Sequence, residues 1–272
     1  MKSILLHISG DSCLDARLQV ALDMARAHGG HITCLQPVNY EIFAPGDFYG
    51  SAMAAAIPRI KEAAEEVRAR CETQLKNEDV SWEWEACSGQ PEAKLLERSA
   101  LHDIILLGPN DVGQDGARSP SSLAGSLALR APIPVLVTPG HIKSFDPSAP
   151  VLVAWNGSAE ACVALRQAVP LLAKADAVYL ASVAEASDKR RFDLPPIEGA
   201  RYLSRHNIAA ELVEIPRGEA KVADTIFTAA NMRECAMVVM GAYGHSRLAE
   251  TLLGGVTRRS LTDPQLPIFL AH

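Results

Sequence analysis

The residues with the most to offer chemically are four glycines. Gly241, Gly244, Gly254 and Gly255 follow the apolar run Met237 to Met240, with two residues between the first two and nine between Gly244 and Gly254. A glycine after a strand allows positive φ and lets backbone N–H groups approach an anion with no Cβ in the way. Gly254-Gly255-Val256-Thr257 then opens a helix, whose free N–H groups and partial positive charge favour a phosphate by about 0.3 to 2 kcal/mol. The stretch therefore predicts a cradle for a polyphosphate. It is not a P-loop, because no Gly-Lys-Ser/Thr follows, and a dinucleotide fingerprint holds its three glycines within six residues. The competing reading is a tight turn that packing alone requires. His245 and Ser246, inside the loop, read as solvent-facing.

Catalytic patterns do not accompany the cradle. The chain has no G-x-S-x-G, no H-E-x-x-H and no kinase signature, and no carboxylate pair is tied to the glycine loop, so binding is expected, with at most weak ATP hydrolysis. A net charge of -6 without a basic cluster argues against nucleic acid, since Lys189-Arg190-Arg191 and Arg258-Arg259 are short. Six scattered cysteines show no C-x-x-C spacing. Cys13 and Cys162, near predicted helix starts, are the two candidates for reactive thiols. The N-terminus enters a strand directly and no apolar run reaches the length of a membrane helix, which predicts a cytoplasmic protein that does not enter membranes.

The glycines need elements to position them, and those alternate along the chain. Ser3 to Ile8 reads as a strand, the stripe Leu14, Leu18, Ala21, Leu22 and Ala25 as a helix on a sheet, and His31 to Val38 as the next strand. Asn39 to Ala56 reads as a long loop, and a charged helix starts near Pro58. A strand at Val80 to Ala86, a helix from Pro91, a strand at Ile104 to Leu107, a loop from Pro109 to Pro120, a helix at Leu123 to Arg130 and a strand at Pro134 to Thr138 complete a unit. Gly140 to Pro150 marks a linker.

After the linker the pattern repeats. Val151 to Ser158 lies over Ile4 to Asp11 at an offset of 147, which holds through Ala21 over Ala168 and carries Thr33 to Gln36 onto Leu180 to Val183. Further on, Ile104 to Gly108 lies over Met237 to Gly241 at an offset of 133, which continues to Pro134 over Pro267. These matches predict a tandem duplication, with domains at 1–140 and 149–272, each a five-stranded parallel α/β sheet flanked by helices.

In an open parallel sheet the ligand crevice lies beyond the carboxyl ends of the strands, where the chain order reverses. In the second half that point carries Trp155-Asn156-Gly157-Ser158 beside the glycine loop. Asn156 has a second reading as the N-cap of the following helix. Trp155, Trp82 and Trp84 read as sheet-face residues, with ligand stacking the alternative for Trp155.

The spacing Gly241-x2-Gly244-x9-Gly254, together with Leu266 to Leu270 and the Asn156-Gly157-Ser158 turn, resembles the adenine-nucleotide motif of the universal stress protein family, whose usual form is G-x2-G-x9-G-(S/T). With the repeat, the resemblance covers essentially the whole chain and is to the tandem-domain bacterial type. It implies a Rossmann-like fold, similar to the adenine nucleotide alpha hydrolases, that binds ATP, ADP or AMP in the second half, with Mg2+ accompanying ATP. It assigns Val183 and Met240 to adenine, and Gly241, Gly244, Gly254, Gly255, Val256 and Thr257 to ribose and phosphates. Asn156 stands where the family commonly has Asp, and Gly255 where it has Ser or Thr. In the first half Asp111, Ser121 and Ser122 face Gly244, Gly254 and Gly255, which marks that half as degenerate, with Asp111 repelling phosphate. The function expected is stress-response regulation through a bound nucleotide. Alternatives are a nucleotide-independent interaction or assembly protein, as a homodimer or as a pseudo-dimer within one chain, and a phosphoanhydride hydrolase. Pro267 to Ala271 is the edge expected to pair with another domain or chain.

Overall fold

Strands and helices alternate through the whole chain, as the periodicity requires. The first series is β1 (Ser3–His7), α1 (Leu14–His28), β2 (His31–Val38), α2 (Ser51–Leu75), β3 (Ser81–Ser88), α3 (Pro91–Ser99), β4 (Ile104–Leu107), α4 (Ser122–Arg130) and β5 (Val135–Val137). The second is β6 (Val151–Ala154), α5 (Ala159–Leu172), β7 (Val178–Ala184), α6 (Pro196–Ser204), β8 (Ala210–Pro216), α7 (Val222–Met232), β9 (Met237–Gly241), α8 (Gly255–Thr262) and β10 (Ile268–Ala271). The computed structural model describes residues 1–40, 51–109, 121–184, 193–216, 218–242 and 255–272. The predicted loop Pro109 to Pro120 lies almost wholly outside them. Asn39 to Ala56 is in part helix: α2 starts at Ser51, and Pro58 stands inside it. Ala54, Ala55 and Ala56 are strong helix formers and extend it past the proline.

Each half is a five-stranded parallel sheet, and the two halves are joined. The strand order is β3-β2-β1-β4-β5-β10-β9-β6-β7-β8, a single sheet of ten strands. The joint is antiparallel: Val135, Leu136 and Val137 pair with Leu270, Phe269 and Ile268. The segment expected to be an edge is thus interior, with β9 on its other side. Both strands are apolar and buried throughout, so an unpaired edge would leave backbone donors and acceptors beside exposed hydrophobic side chains. Leu136 and Phe269 are each other's counterparts in the repeat and pair directly, so a local two-fold axis passes between them.

Strand register tests the duplication residue by residue. Ile4 pairs with Ile32 and Ile104, and its counterpart Val151 pairs with Val178 and Met237. The offset of 133 is therefore kept at the fourth strand, but the offset of 147 slips by one at the second. Thr33 to Gln36 lies over Tyr179 to Ser182, not over Leu180 to Val183. The faces agree with this: Ile32 and Cys34 join one core, as do Val178 and Leu180. The slip falls at the helix ends. α1 terminates in the left-handed Gly29, at φ 56°, while α5 ends at Ala173 in the right-handed region.

A core covers each face of the sheet and crosses the joint. One is built under α1, α2, α5 and α6, the other under α3, α4, α7 and α8. Leu6, Ile104 and Val239 are fully buried in the first, and burial of such a side chain stabilises by roughly 1.5 to 3 kcal/mol. No described helix is long and apolar enough to cross a membrane.

Candidate functional site

The second-half crevice lies where β6 and β9, neighbours in the sheet, end at Ala154 and Gly241. From β6 the chain turns through Trp155-Asn156-Gly157-Ser158 into α5. Asn156 is exposed, and its Oδ1 accepts a hydrogen bond from the Ser158 N–H at 3.1 Å. The N-cap is Ser158, whose hydroxyl accepts from the Ala161 N–H at 3.2 Å. Asn156 therefore does not cap the helix. It closes an Asx turn one step earlier, which leaves its amide nitrogen without a partner among the described residues.

Gly241 is required by packing, whatever a ligand would add. A Cβ there would lie 2.6 Å from the Ala161 nitrogen and from the Glu160 carbonyl carbon, so the end of β9 abuts the first turn of α5. Its counterpart Gly108 is similarly enclosed, with 3.2 Å to the Cys13 Cβ. Met240 is buried on the α7 and α8 side of the sheet, and Val183 and Val256 are partly buried against the same core. Thr257 is buried in the first turn of α8, while Gly255, the first residue of α8, is exposed with open space where a Cβ would stand. Gly244, Gly254, His245 and Ser246 lie outside the described residues.

The turn after β6 is covered by a piece of chain that sequence reading missed. The Trp155 indole N–H donates to the Leu194 carbonyl at 3.0 Å, and the Leu194 N–H donates to the Gly157 carbonyl at 2.9 Å. Gly157 has φ +80°, and a Cβ on it would collide with the Leu194 backbone, 2.7 Å from its nitrogen. Trp155 itself is 5% exposed, with its ring against Gly199. It is a core residue with a committed N–H, not a stacking platform. The one signal available in the sequence was Gly157, a glycine in a strand-to-helix turn.

In the first half the corresponding crevice is filled from within. Arg17 is fully buried. Its Nε donates to the His7 carbonyl at 2.7 Å, Nη1 to Asp11 Oδ1 at 2.7 Å, and Nη2 to the Ser9 carbonyl at 3.1 Å and to the Ser9 hydroxyl at 2.8 Å. Nη2 also pairs with Asp11 Oδ2 at 2.7 Å. The guanidinium thus spans from the end of β1 to Gly108 beyond β4, where a Cβ would be 3.0 Å from Nη1. Asp11 further accepts from the Cys13 N–H at 2.7 Å and from the Ser9 hydroxyl. Burial pushes the Asp11 carboxyl upward, but the hydrogen bonds and charge of Arg17, with Ser9 and Cys13, outweigh it and hold it below the usual carboxylate range.

The second half has Ala164, buried in the core, where Arg17 stands in the first. Ser121, opposite Gly254, caps α4 by accepting from the Ala124 N–H at 3.1 Å. Asp111 lies outside the described residues, so the described obstacle in the first half is Arg17 with Asp11. Burial first, then the Asp11 charge, pushes the Cys13 thiol up, and burial likewise raises Cys162, so both favour the thiol over the reactive thiolate.

Comparison with known proteins supplies the remaining finding. The model of the universal stress protein family matches residues 1–139 and again 148–270. The chain belongs to the universal stress protein family. No curated protein matches it. Among solved structures it is similar to a universal stress protein from Archaeoglobus fulgidus, at 17% identity and a TM-score of 0.74 over 99% of this chain and 96% of that one. It is also similar to a putative universal stress protein from Pseudomonas aeruginosa, at 16% identity and a TM-score of 0.58, covering 100% and 93%. A protein of Pseudomonas aeruginosa described as functionally unknown aligns at 16% identity and a TM-score of 0.60, covering 100% and 92%. At such identities the likeness concerns the fold. For this universal stress protein, the differences between its two crevices therefore rest on its own residues.

Proposed function

We propose that this universal stress protein is a stress-response regulator that binds one adenine nucleotide per chain, in the crevice at the ends of β6 and β9. The observation that carries the proposal is the exchange of Arg17 for Ala164. The first crevice is filled by a buried guanidinium and its carboxylate, and the second has neither. The residues present fit a nucleotide: Asn156 offers an exposed amide, Val183, Met240 and Val256 give an apolar wall, and α8 presents Gly255 with space beside it and the N–H groups of its first turn. Mg2+, when it accompanies ATP, would neutralise phosphate charge, and among the described residues no group of three or more His, Cys, Asp or Glu side chains could hold it.

The halves are read as a pseudo-dimer within one chain. The β5 and β10 edges meet on the local two-fold and are consumed internally. This weakens the reading as an assembly protein, because among the described residues β3 and β8 are the strands that remain as sheet edges.

Calorimetry of the full chain with ATP and Mg2+ tests the reading. Saturable binding at one site per chain is expected, and it should be lost when the first-half residues are copied into the second as Gly244→Asp with Gly254→Ser. Absence of heat at millimolar ATP, or binding indifferent to that pair of substitutions, would reject the proposal.

A further inference from the structure

The outer edge of the second half carries a recess that neither the crevice nor the sheet joint uses. Among the described residues β8 is the last strand on its side and pairs with β7 alone, and α7 packs beside it against the same core. Between β8 and α7 opens a cavity of about 370 Å³, within the range of about 300 to 1,000 Å³ typical of small-molecule sites. Val213 and Ile215 form its strand wall, Ala229 and Met232 its helix wall. Met232 is 79% exposed, a large apolar side chain with water over most of its surface.

The polar side chains of the recess are those of Glu214, Thr225, Thr228 and Arg233. Thr225 and Thr228 donate their hydroxyls to the Lys221 and Asp224 carbonyls, at 3.2 and 2.8 Å, and so can only accept from a ligand. At the end of α7 stands Arg233, its guanidinium carbon 5.4 Å from the Tyr179 ring centroid and its Nη1 donating to the Ala229 carbonyl at 3.2 Å. No carboxylate among the described residues pairs with it. Glu214 also lines the recess, and its side chain leaves β8 on the face opposite to Val213 and Ile215. The recess is thus an apolar trough with a cation at one end. From Thr225 to Arg233 it follows roughly 12 Å of helix, at about 1.5 Å per residue.

We propose that this recess binds a small carboxylate with an unbranched apolar chain, of the octanoate class. The chain lies against Val213, Ile215 and Met232, and the carboxylate pairs with Arg233. A guanidinium over an aromatic face, with no carboxylate partner among the described residues and donors left beyond its bond to the Ala229 carbonyl, is a fork for a carboxylate, and the apolar walls reward a chain of matching length. An extended peptide added to the free edge of β8 is the competing occupant. It would pair with the strand backbone and would not require the carboxylate or the trough.

Titration of the full chain with octanoate below its micellar range, followed by calorimetry and by NMR shifts at β8 and α7, tests this. The expected result is saturable binding at one site, with octanol at least roughly tenfold weaker, as loss of a charge-assisted hydrogen bond implies. Arg233→Gln should weaken octanoate by a similar factor, with partial rescue in Arg233→Lys. Thr228→Trp, an exposed position on α7 outside the core, should block the trough and leave the melting temperature and ATP binding unchanged. Heat that never saturates, octanol binding as tightly as octanoate, Arg233→Gln binding like the unaltered protein, or a folded Thr228→Trp protein that still binds octanoate would each overturn the proposal.

Discussion

The two crevices occupy equivalent places in the sheet and are filled in opposite ways. At the ends of β1 and β4, Arg17 brings a guanidinium from the second turn of α1 and satisfies it with Asp11, Ser9 and the His7 carbonyl. At the ends of β6 and β9, Ala164 stands in its place and Asn156 is exposed. A duplicated fold can thus fill one crevice with an internal ion pair and leave the equivalent place in the other half without it. Such a pair holds only while both charges are present, because Arg17 alone is buried without a counter-charge and Asp11 alone, partly buried, keeps only the hydrogen bonds from Ser9 and Cys13.

Removing Arg17 is the harshest way to break this contrast. Arg17→Met leaves Asp11 uncompensated and is expected to cost about 3 to 5 kcal/mol in urea unfolding, while adding Asp11→Leu should return most of that loss. A single variant with an unchanged midpoint would mean the pair does not support the first half.

Glycine exchange probes the turns after β1 and β6. Gly157→Ala must displace the Leu194 backbone from a residue at φ +80° and is expected to cost roughly 1 to 3 kcal/mol. Gly10→Ala meets only the Val67 Cγ2 at 3.3 Å and should stay within about 0.5 kcal/mol. Equal melting temperatures for the two variants would remove the difference in how the turns are covered.

A smaller effect is expected at the mouth of the second crevice. Asn156→Asp retains an oxygen for the Ser158 N–H and adds a negative charge near the start of α5, worth about 0.3 to 1 kcal/mol in stability. It should also tighten ATP binding several-fold, since hydrogen bonds to a charged group gain about 1 kcal/mol or more over neutral ones. Unchanged calorimetric affinity would place Asn156 outside the contact.

The pH dependence of stability should come mainly from the first half. Asp11 is held below its ordinary value in the folded state, so its contribution is present above about pH 4 and is lost as pH falls through the lowered value. His28, at the end of α1, is pushed down to about 4 by burial first and then by the N-terminal amine, Lys174 and Lys2. Its unfolded form takes the proton earlier, so stability should decline as pH drops from about 6.5 toward 4 and then level. Melting temperatures of His28→Gln should lack that decline, while Asp11→Asn should lack the steeper loss below it. α5 ends in Leu172 and Ala173 and has no histidine there.

Much of this was legible in the sequence because it rests on local pattern. Apolar runs such as Ile104 to Leu107 and Met237 to Met240 mark buried parallel strands, and matched glycines at 108 and 241 carried the repeat. The one-residue slip at β7 was not legible. Buried parallel strands are apolar on both faces, so alternation does not report register. Val183 and Met240 were legible as residues near the ends of their strands, but the reason for Gly241, its contact with the first turn of α5, depends on a distance between elements.

The sequence by itself determined the α/β class and the duplication and raised the expectation of a site at Met237 to Thr257, because strand and helix periods and glycine spacing are short-range properties. Only the tertiary structure decided that β5 and β10 fuse the halves, that Leu194 covers the turn at Gly157, and that Arg17 fills the first crevice. An arginine at the second turn of a helix reads as a solvated charge until the ends of β1 and β4 enclose it. What made it an occupant is the convergence of Ser9, Asp11 and the His7 carbonyl on one buried point.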